Sequence, residues 1–191
     1  MPVFDHFDFL APFYDRLITV PDTGRLEELV GLPIEGRLLD AGGGTGRISQ
    51  TLTKKVSDVV LVDLSISMLL QATNKGRLVK ICSYSERLPF EDAIFERIIM
   101  VDALHHVISQ ENTAAELWRV LKPGGRLVIE EPDVTKIAVK LVALAEKVAL
   151  MRSKFLPPER IANLFSSESA AIKIYRDNFN SWVVVEKSNY F

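Results

Sequence analysis

The chain has 191 residues, 23 basic and 25 acidic, a formal charge of -2, and 48% hydrophobic against 25% charged side chains. This composition describes one globular domain with room for a substantial core, and it argues against a nucleic-acid partner held mainly through phosphates. The one cysteine, Cys82, excludes an internal disulfide; lying at the end of an apolar run, it is expected to be a buried, inert thiol in a reducing, cytoplasmic setting.

The first residues, Met1-Pro2-Val3-Phe4-Asp5-His6-Phe7-Asp8, carry acids where an export signal needs bases, so none is expected. Residues 4–17 mix Phe, Tyr and Asp and predict one or two short helical turns. Residues 24–30 suit a helix that Gly31-Leu32-Pro33 breaks. Strands and helices then alternate. The predicted strands are 37–41, 58–62, 78–82, 94–101 and 126–130. The predicted helices are 46–54, 67–74 (capped by Ser65 or Ser67) and 111–121, the last stopped by a turn at Lys122-Pro123-Gly124-Gly125. Apolar strands alternating with helices predict a parallel sheet covered on both faces.

After Pro132 the rhythm changes. A long helix is expected over 135–151 and a short one over 158–165, started by Pro157-Pro158. Lys140, Glu146 and Lys147 make the stretch 137–151 too charged to span a bilayer. Strands 171–176 and 182–186 are separated by five residues, too few for a parallel crossover, so they form an antiparallel hairpin.

Leu38-Leu39-Asp40-Ala41-Gly42-Gly43-Gly44-Thr45-Gly46 is a strand that ends in a loop nearly without side chains, followed by a helix. Such a loop lets backbone lie against a ligand. A G-x-G-x-x-G reading from Gly42 fails because its last position is Arg47. A phosphate-loop reading fails because Arg47-Ile48 stands where Lys-Ser/Thr is needed. Asp40, Gly42, Gly44 and Gly46 fit Asp-x-Gly-x-Gly-x-Gly without mismatch. A second acid, Asp63, ends the next apolar run 21 residues past Gly42, where a carboxylate can accept from both hydroxyls of a ribose. It also reads as a plain helix-entry residue.

Four further segments stand in order behind the loop: Val62-Asp63-Leu64-Ser65-Ile66-Ser67-Met68-Leu69, Glu86-Arg87-Leu88-Pro89-Phe90, Ala103-Leu104-His105-His106-Val107, and Leu117-Trp118-Arg119-Val120-Leu121-Lys122-Pro123-Gly124-Gly125. Together the five resemble the class I S-adenosylmethionine-dependent methyltransferases, in particular the ubiquinone/menaquinone-biosynthesis-like branch of small-molecule enzymes. The resemblance implies an α/β, Rossmann-like doubly wound, mostly parallel seven-stranded sheet whose seventh strand inserts antiparallel between the fifth and sixth. It implies a domain of three parts: an N-terminal helical lid over 1–33, a cofactor-binding core over 34–132, and acceptor-side helices with the terminal hairpin over 133–191.

The resemblance also assigns roles. Ala41, Gly42, Gly43 and Gly44 line the methionine part of S-adenosylmethionine, and Asp40 orients its ammonium. Asp63 grips the ribose, Leu64 packs on the adenine, Ser85 offers a backbone N–H to an adenine nitrogen, and Met68 is a further cofactor-binding residue. Asp102 and Ala103 sit near the reactive methyl. Tyr84 departs from the family's pattern by standing where an acid often bonds the adenine amino group. Tyr14, in a segment like the family's Ala-x-x-Tyr-Asp stretch, is expected to face the cofactor or acceptor.

Methyl transfer from a sulfonium needs mostly positioning, with a base where the acceptor atom is oxygen or carbon. His105 and His106 follow the fourth strand, where the ligand crevice of a parallel sheet opens, and are candidate acceptor-side groups; capping or packing explains them equally. No metal is expected, because adjacent histidines point in different directions. Glu130-Glu131-Pro132-Asp133 leaves the fifth strand on the same edge and is expected to be a solvated acidic turn, the alternative being a site for a cation or an amine. The absence of an Asn-Pro-Pro-Tyr-like segment argues against methylating bases of nucleic acid. The acceptor is expected to be a small, partly hydrophobic molecule, and the same apolar surface suits a homodimer. The alternatives are a catalytically silent protein of this fold that holds the cofactor or acts through a partner and, more weakly, a nicotinamide oxidoreductase.

Overall fold

The computed structural model describes residues 11, 23–137, 139–140, 153–166 and 169–189. The expected N-terminal turns and lid, Tyr14, and most of the helix read over 135–151 lie outside the described residues. Seven strands form one sheet in the order β3-β2-β1-β4-β5-β7-β6. They are β1 Arg37–Ala41, β2 Asp58–Asp63, β3 Leu78–Cys82, β4 Phe95–Val101, β5 Leu121–Pro132, β6 Ala170–Arg176 and β7 Asn180–Lys187. The first five pair in parallel, and β7 lies antiparallel between β5 and β6. The short β6–β7 link makes that pair an antiparallel hairpin.

Period-2 alternation sends successive side chains to opposite faces. Leu39, Ile98, Met100, Leu127, Ile129 and Val183 meet helix α4 (Gln110–Val120) through Ala114, Leu117 and Val120, and helix α5 (Pro158–Asn163) through Ile161. Leu38, Val59, Ile99, Val101, Val128 and Val184 face the other way, onto Leu26, Leu29 and Val30 of helix α1 (Gly24–Val30) and Leu52 of helix α2 (Ser49–Leu52). Helix α3 (Ile66–Gln71) completes that layer and is capped by Ser65, whose Oγ accepts from the Met68 N–H at 3.1 Å.

Four expectations need correction. Helix α2 starts at Ser49, not 46, because Gly46 has φ +70° and cannot sit in a right-handed turn. The Lys122-Pro123-Gly124-Gly125 turn is a bulge within a longer strand: β4 advances from Phe95 to Arg97 while β5 advances from Leu121 to Arg126. Cys82 is exposed, because β3 is an edge strand with solvent on its flank, and its thiol donates to the Leu64 carbonyl at 3.3 Å. Glu130-Glu131-Pro132-Asp133 is no solvated turn: Glu131 and Asp133 are buried, since β5 lies between β4 and β7.

Candidate active site

The carboxyl ends of β1, β2 and β4 converge on one edge of the sheet. The glycine loop leaves β1 there and is hooked to the end of β2. The Gly42 and Gly43 N–H groups donate to the Val62 carbonyl at 2.8 and 3.2 Å. Asp63 closes the hook: its Oδ2 accepts from the Gly44 N–H and its Oδ1 from the Ser65 N–H, both at 2.8 Å. The acid therefore fastens loop to helix entry at the edge where the two strands end.

A Cβ on Gly43 would meet Leu61 Cδ1 at 2.3 Å and Asp40 Oδ2 at 2.5 Å, so the inner side of the loop is closed. On Gly44, at φ +57°, a Cβ would meet nothing within 4 Å. The backbone is thus braced from beneath and bare above, which fits a ligand laid against it. Leu64 and Tyr84, 47% and 50% exposed, offer apolar surface beyond β2 and β3. Ser85 and Met68 are buried. The next segment is clamped to α4: Arg119 donates to the Leu88 and Phe90 carbonyls at 3.1 and 2.8 Å, and Glu116 accepts from the Leu88 N–H at 2.8 Å.

Asp40 lies under the loop, accepting from Ser49 Oγ at 2.7 Å. Burial pushes its carboxyl up to about 6, with Asp63 adding repulsion and the Ser49 bond and Arg47 opposing. Arg47, the residue that spoils the nicotinamide pattern, is itself buried and reaches toward Asp102, Nη2 to Oδ2 at 3.8 Å. Asp102 holds a left-handed φ of +52° and donates its N–H to the Glu130 carbonyl at 3.0 Å. The strained turn is fixed from the next strand. Glu131 Oε1 accepts from the Ala103 and Leu104 N–H groups at 3.0 and 2.7 Å.

The two histidines differ in environment. His105 is buried, its Nδ1 is 2.5 Å from Glu131 Oε2, and its ring stacks on Phe155 at 4.2 Å. The Lys154 N–H caps the His105 carbonyl at 2.7 Å, so residues 154–155 roof this side. His106 is pushed down to about 3, first by burial and then by His105. It is neutral across the physiological range and a poor proton acceptor there. His105 is thus placed as a packing and anchoring group of the β4 loop.

Sequence reasoning missed Arg47, Glu130 and Glu131. Glu130, on the face opposite Glu131, accepts from Asn180 Nδ2 at 3.0 Å and Trp182 Nε1 at 2.8 Å. Burial raises its carboxyl to about 7; Asp102 and Asp177 push the same way, against the Trp182 bond and Arg47. The available signal was two acids directly continuing an apolar strand, which alternation sends to opposite faces.

Residues 39–129 match the family model of a methyltransferase domain. The chain is 32% identical over 184 residues to a demethylmenaquinone methyltransferase of Mycobacterium tuberculosis (strain H37Rv), covering 92% of this chain and 75% of that protein. It is 30% identical over 163 residues to a demethylmenaquinone methyltransferase of Tropheryma whipplei (strain Twist), where the match covers 84% of this chain and 65% of the relative. A solved SAM-dependent methyltransferase of Thermotoga maritima shares the fold, with a TM-score of 0.75 at 23% identity over 95% of this chain and 98% of that one. With that sheet order, a bare loop tied to Asp63, and these relatives, the chain belongs to the class I S-adenosylmethionine-dependent methyltransferases, in the quinone-biosynthesis branch.

Proposed function

We propose that this chain transfers a methyl group from S-adenosylmethionine to a small, partly apolar acceptor, of the kind that the relatives' name, demethylmenaquinone methyltransferase, indicates for them. When bound, the sulfonium supplies an activated methyl group. The chain's residues bind, orient and exclude water. The observation that carries this reading is the Gly44 backbone, open above and held by Asp63 from the side. In this reading Ala41–Gly44 line the methionine part and Asp40 supports them. Asp63 takes the ribose hydroxyls, and Leu64 with Tyr84 covers the base. Ser85 offers its N–H, and Asp102 with Ala103 borders the methyl. Residues 34–132 form the cofactor core, between a lid over 1–33 and acceptor-side elements over 133–191.

The test is thermal unfolding with S-adenosylhomocysteine and with NADH. The first is expected to raise the melting temperature and the second to leave it unchanged; the reverse result would remove the assignment. Asp63→Ala is expected to weaken S-adenosylhomocysteine by about 1.5–3 kcal/mol in calorimetry, the loss of bonds to a charged acceptor. A metabolite screen with labelled methyl donor then identifies the acceptor.

A further inference from the structure

Beside the glycine loop lies a cavity of about 350 Å³ that none of the cofactor roles uses. It is lined by Thr23, Arg25 and Leu26 at the start of α1, by Ile48 just past the loop, by Glu130 at the end of β5, and by Arg176, Asp177, Asn180 and Trp182 of the terminal hairpin. Its size suits a ligand of one or two rings. Resting on the methyl-transfer reading above, we infer that this cavity is the acceptor pocket, that it takes a hydroxylated aromatic ring, and that Glu130 receives the hydroxyl proton.

Three features support the assignment. First, the location is right. The Glu130 carbonyl accepts the N–H of Asp102, the residue that borders the methyl position, and Ile48 follows the glycine loop by two residues. Second, the walls suit a flat apolar ring. Leu26, Ile48 and Trp182 supply apolar and aromatic surface. The two arginines of the lining are already engaged, Arg25 with Glu28 and the Tyr175 ring and Arg176 with Asp133 and Glu159, and Asp177 accepts from the Phe179 and Asn180 N–H groups. Third, Glu130 is held in place. Asn180 donates to one oxygen and Trp182 to the other, so each oxygen retains a lone pair for a hydroxyl.

The proton balance is simple. The acceptor's O–H bond breaks and its proton goes to a Glu130 oxygen. For transfer to oxygen, the pair left on that oxygen forms the new bond to the methyl carbon; for transfer to the conjugated ring carbon, the ring pair forms it, and the C–H bond at that carbon then breaks, its pair returning to the ring as the oxygen takes back the proton held by Glu130. The methyl–sulfur bond breaks with its pair kept by sulfur, and one proton per turnover leaves to solvent.

Among the described residues, the charged and titratable groups around Glu130 are Asp102 after β4, Arg47 before α2, Asp177 in the hairpin turn, and Arg25 and Arg176 at the rim. With its carboxyl near 7, the ionised fraction of Glu130 rises about tenfold between pH 6 and pH 8, and the affinity for a neutral ring hydroxyl rises with it.

The probe is 1-naphthol, titrated into the full chain at pH 6 and pH 8. The wild-type protein is expected to bind it up to about tenfold more tightly at the higher pH. Glu130→Gln is expected to flatten that dependence, and Thr23→Trp, which fills the rim, to abolish binding. Absence of naphthol binding, an identical pH dependence in Glu130→Gln, or full binding in Thr23→Trp would each overturn the assignment. S-adenosylhomocysteine melting shifts on the same samples report folding and the cofactor site separately. A missing nucleoside shift beside an intact naphthol titration would sink the methyl-transfer reading and leave the pocket standing.

Discussion

Replacing Glu131 with alanine removes the acceptor for three buried donors at once. Its carboxylate takes the Ala103 and Leu104 N–H groups at 3.0 and 2.7 Å and faces His105 Nδ1 at 2.5 Å. Glu131 is only 2% exposed and Leu104 and His105 are 1% and 4% exposed, so water does not replace it without opening the loop. An orphaned buried donor costs about 1–3 kcal/mol. Three such costs are not additive, and the figure for stripping one member of a buried polar pair, about 3–5 kcal/mol, is the better guide. That is a large share of a typical domain stability of about 5–15 kcal/mol. Glu131→Gln separates the bonds from the charge. A glutamine carbonyl still accepts both N–H groups, and the imidazole moves its proton to Nε2 to accept from the amide, so the expected loss is about 1 kcal/mol. Urea unfolding of the three proteins, compared by midpoint at constant slope, measures this. If alanine and glutamine cost the same, or if both cost under about 1 kcal/mol, Glu131 is not the clamp of the β4 loop.

Two further outcomes follow from the same edge of the sheet. Gly44→Ala meets no atom within 4 Å but adopts φ +57°; about 1 kcal/mol of stability should go, with at least a tenfold loss of S-adenosylhomocysteine affinity. Gly43→Ala, which drives a methyl into Leu61 at 2.3 Å, should instead lose about 1–3 kcal/mol of stability, and calorimetry beside urea unfolding that gave both variants one pattern would contradict the loop's two-sidedness. Glu130 has a folded pKa raised from 4.5 to about 7, so the folded state binds the proton more tightly than the unfolded chain. Its contribution is full below pH 4.5 and is lost as pH climbs through 7. Relative to Glu130→Gln, the wild type should therefore lose about 2–3 kcal/mol of stability between pH 4 and pH 8, and a difference that stays flat with pH would show that Glu130 titrates normally.

Much of this arrangement is legible in the sequence because it is local. Leu38-Leu39 running into alternate glycines can only be a strand entering a bare loop, and Asp63 closing Val59-Val60-Leu61-Val62 marks the neighbouring strand end. The β6–β7 hairpin follows from a link too short for anything else. What escaped reading depends on neighbours far away in sequence. Cys82 ends a mostly apolar run, yet β3 is an edge and its flank is open. Glu130-Glu131-Pro132-Asp133 has the composition of a turn, and only flanking by β4 and β7 buries it. In the sequence Arg47 reads only as a departure from two glycine-loop patterns. Its burial beside Asp102 requires the β1 and β4 loops to meet. The gap between His105 and His106 likewise comes from packing: one faces Glu131 and Phe155, the other has its basicity suppressed.

The phase of β5 has a consequence for how this chain tolerates changes in length. Adding a residue among 122–125 only enlarges a kink that already accommodates extra backbone. Adding one between Arg126 and Glu130 would turn the strand's end over, delivering the anchoring carboxylate to the cavity and the titrating one to the imidazole. One strand is thus forgiving at its start and rigidly counted at its finish, and homologous chains should vary in length at the first place and not at the second.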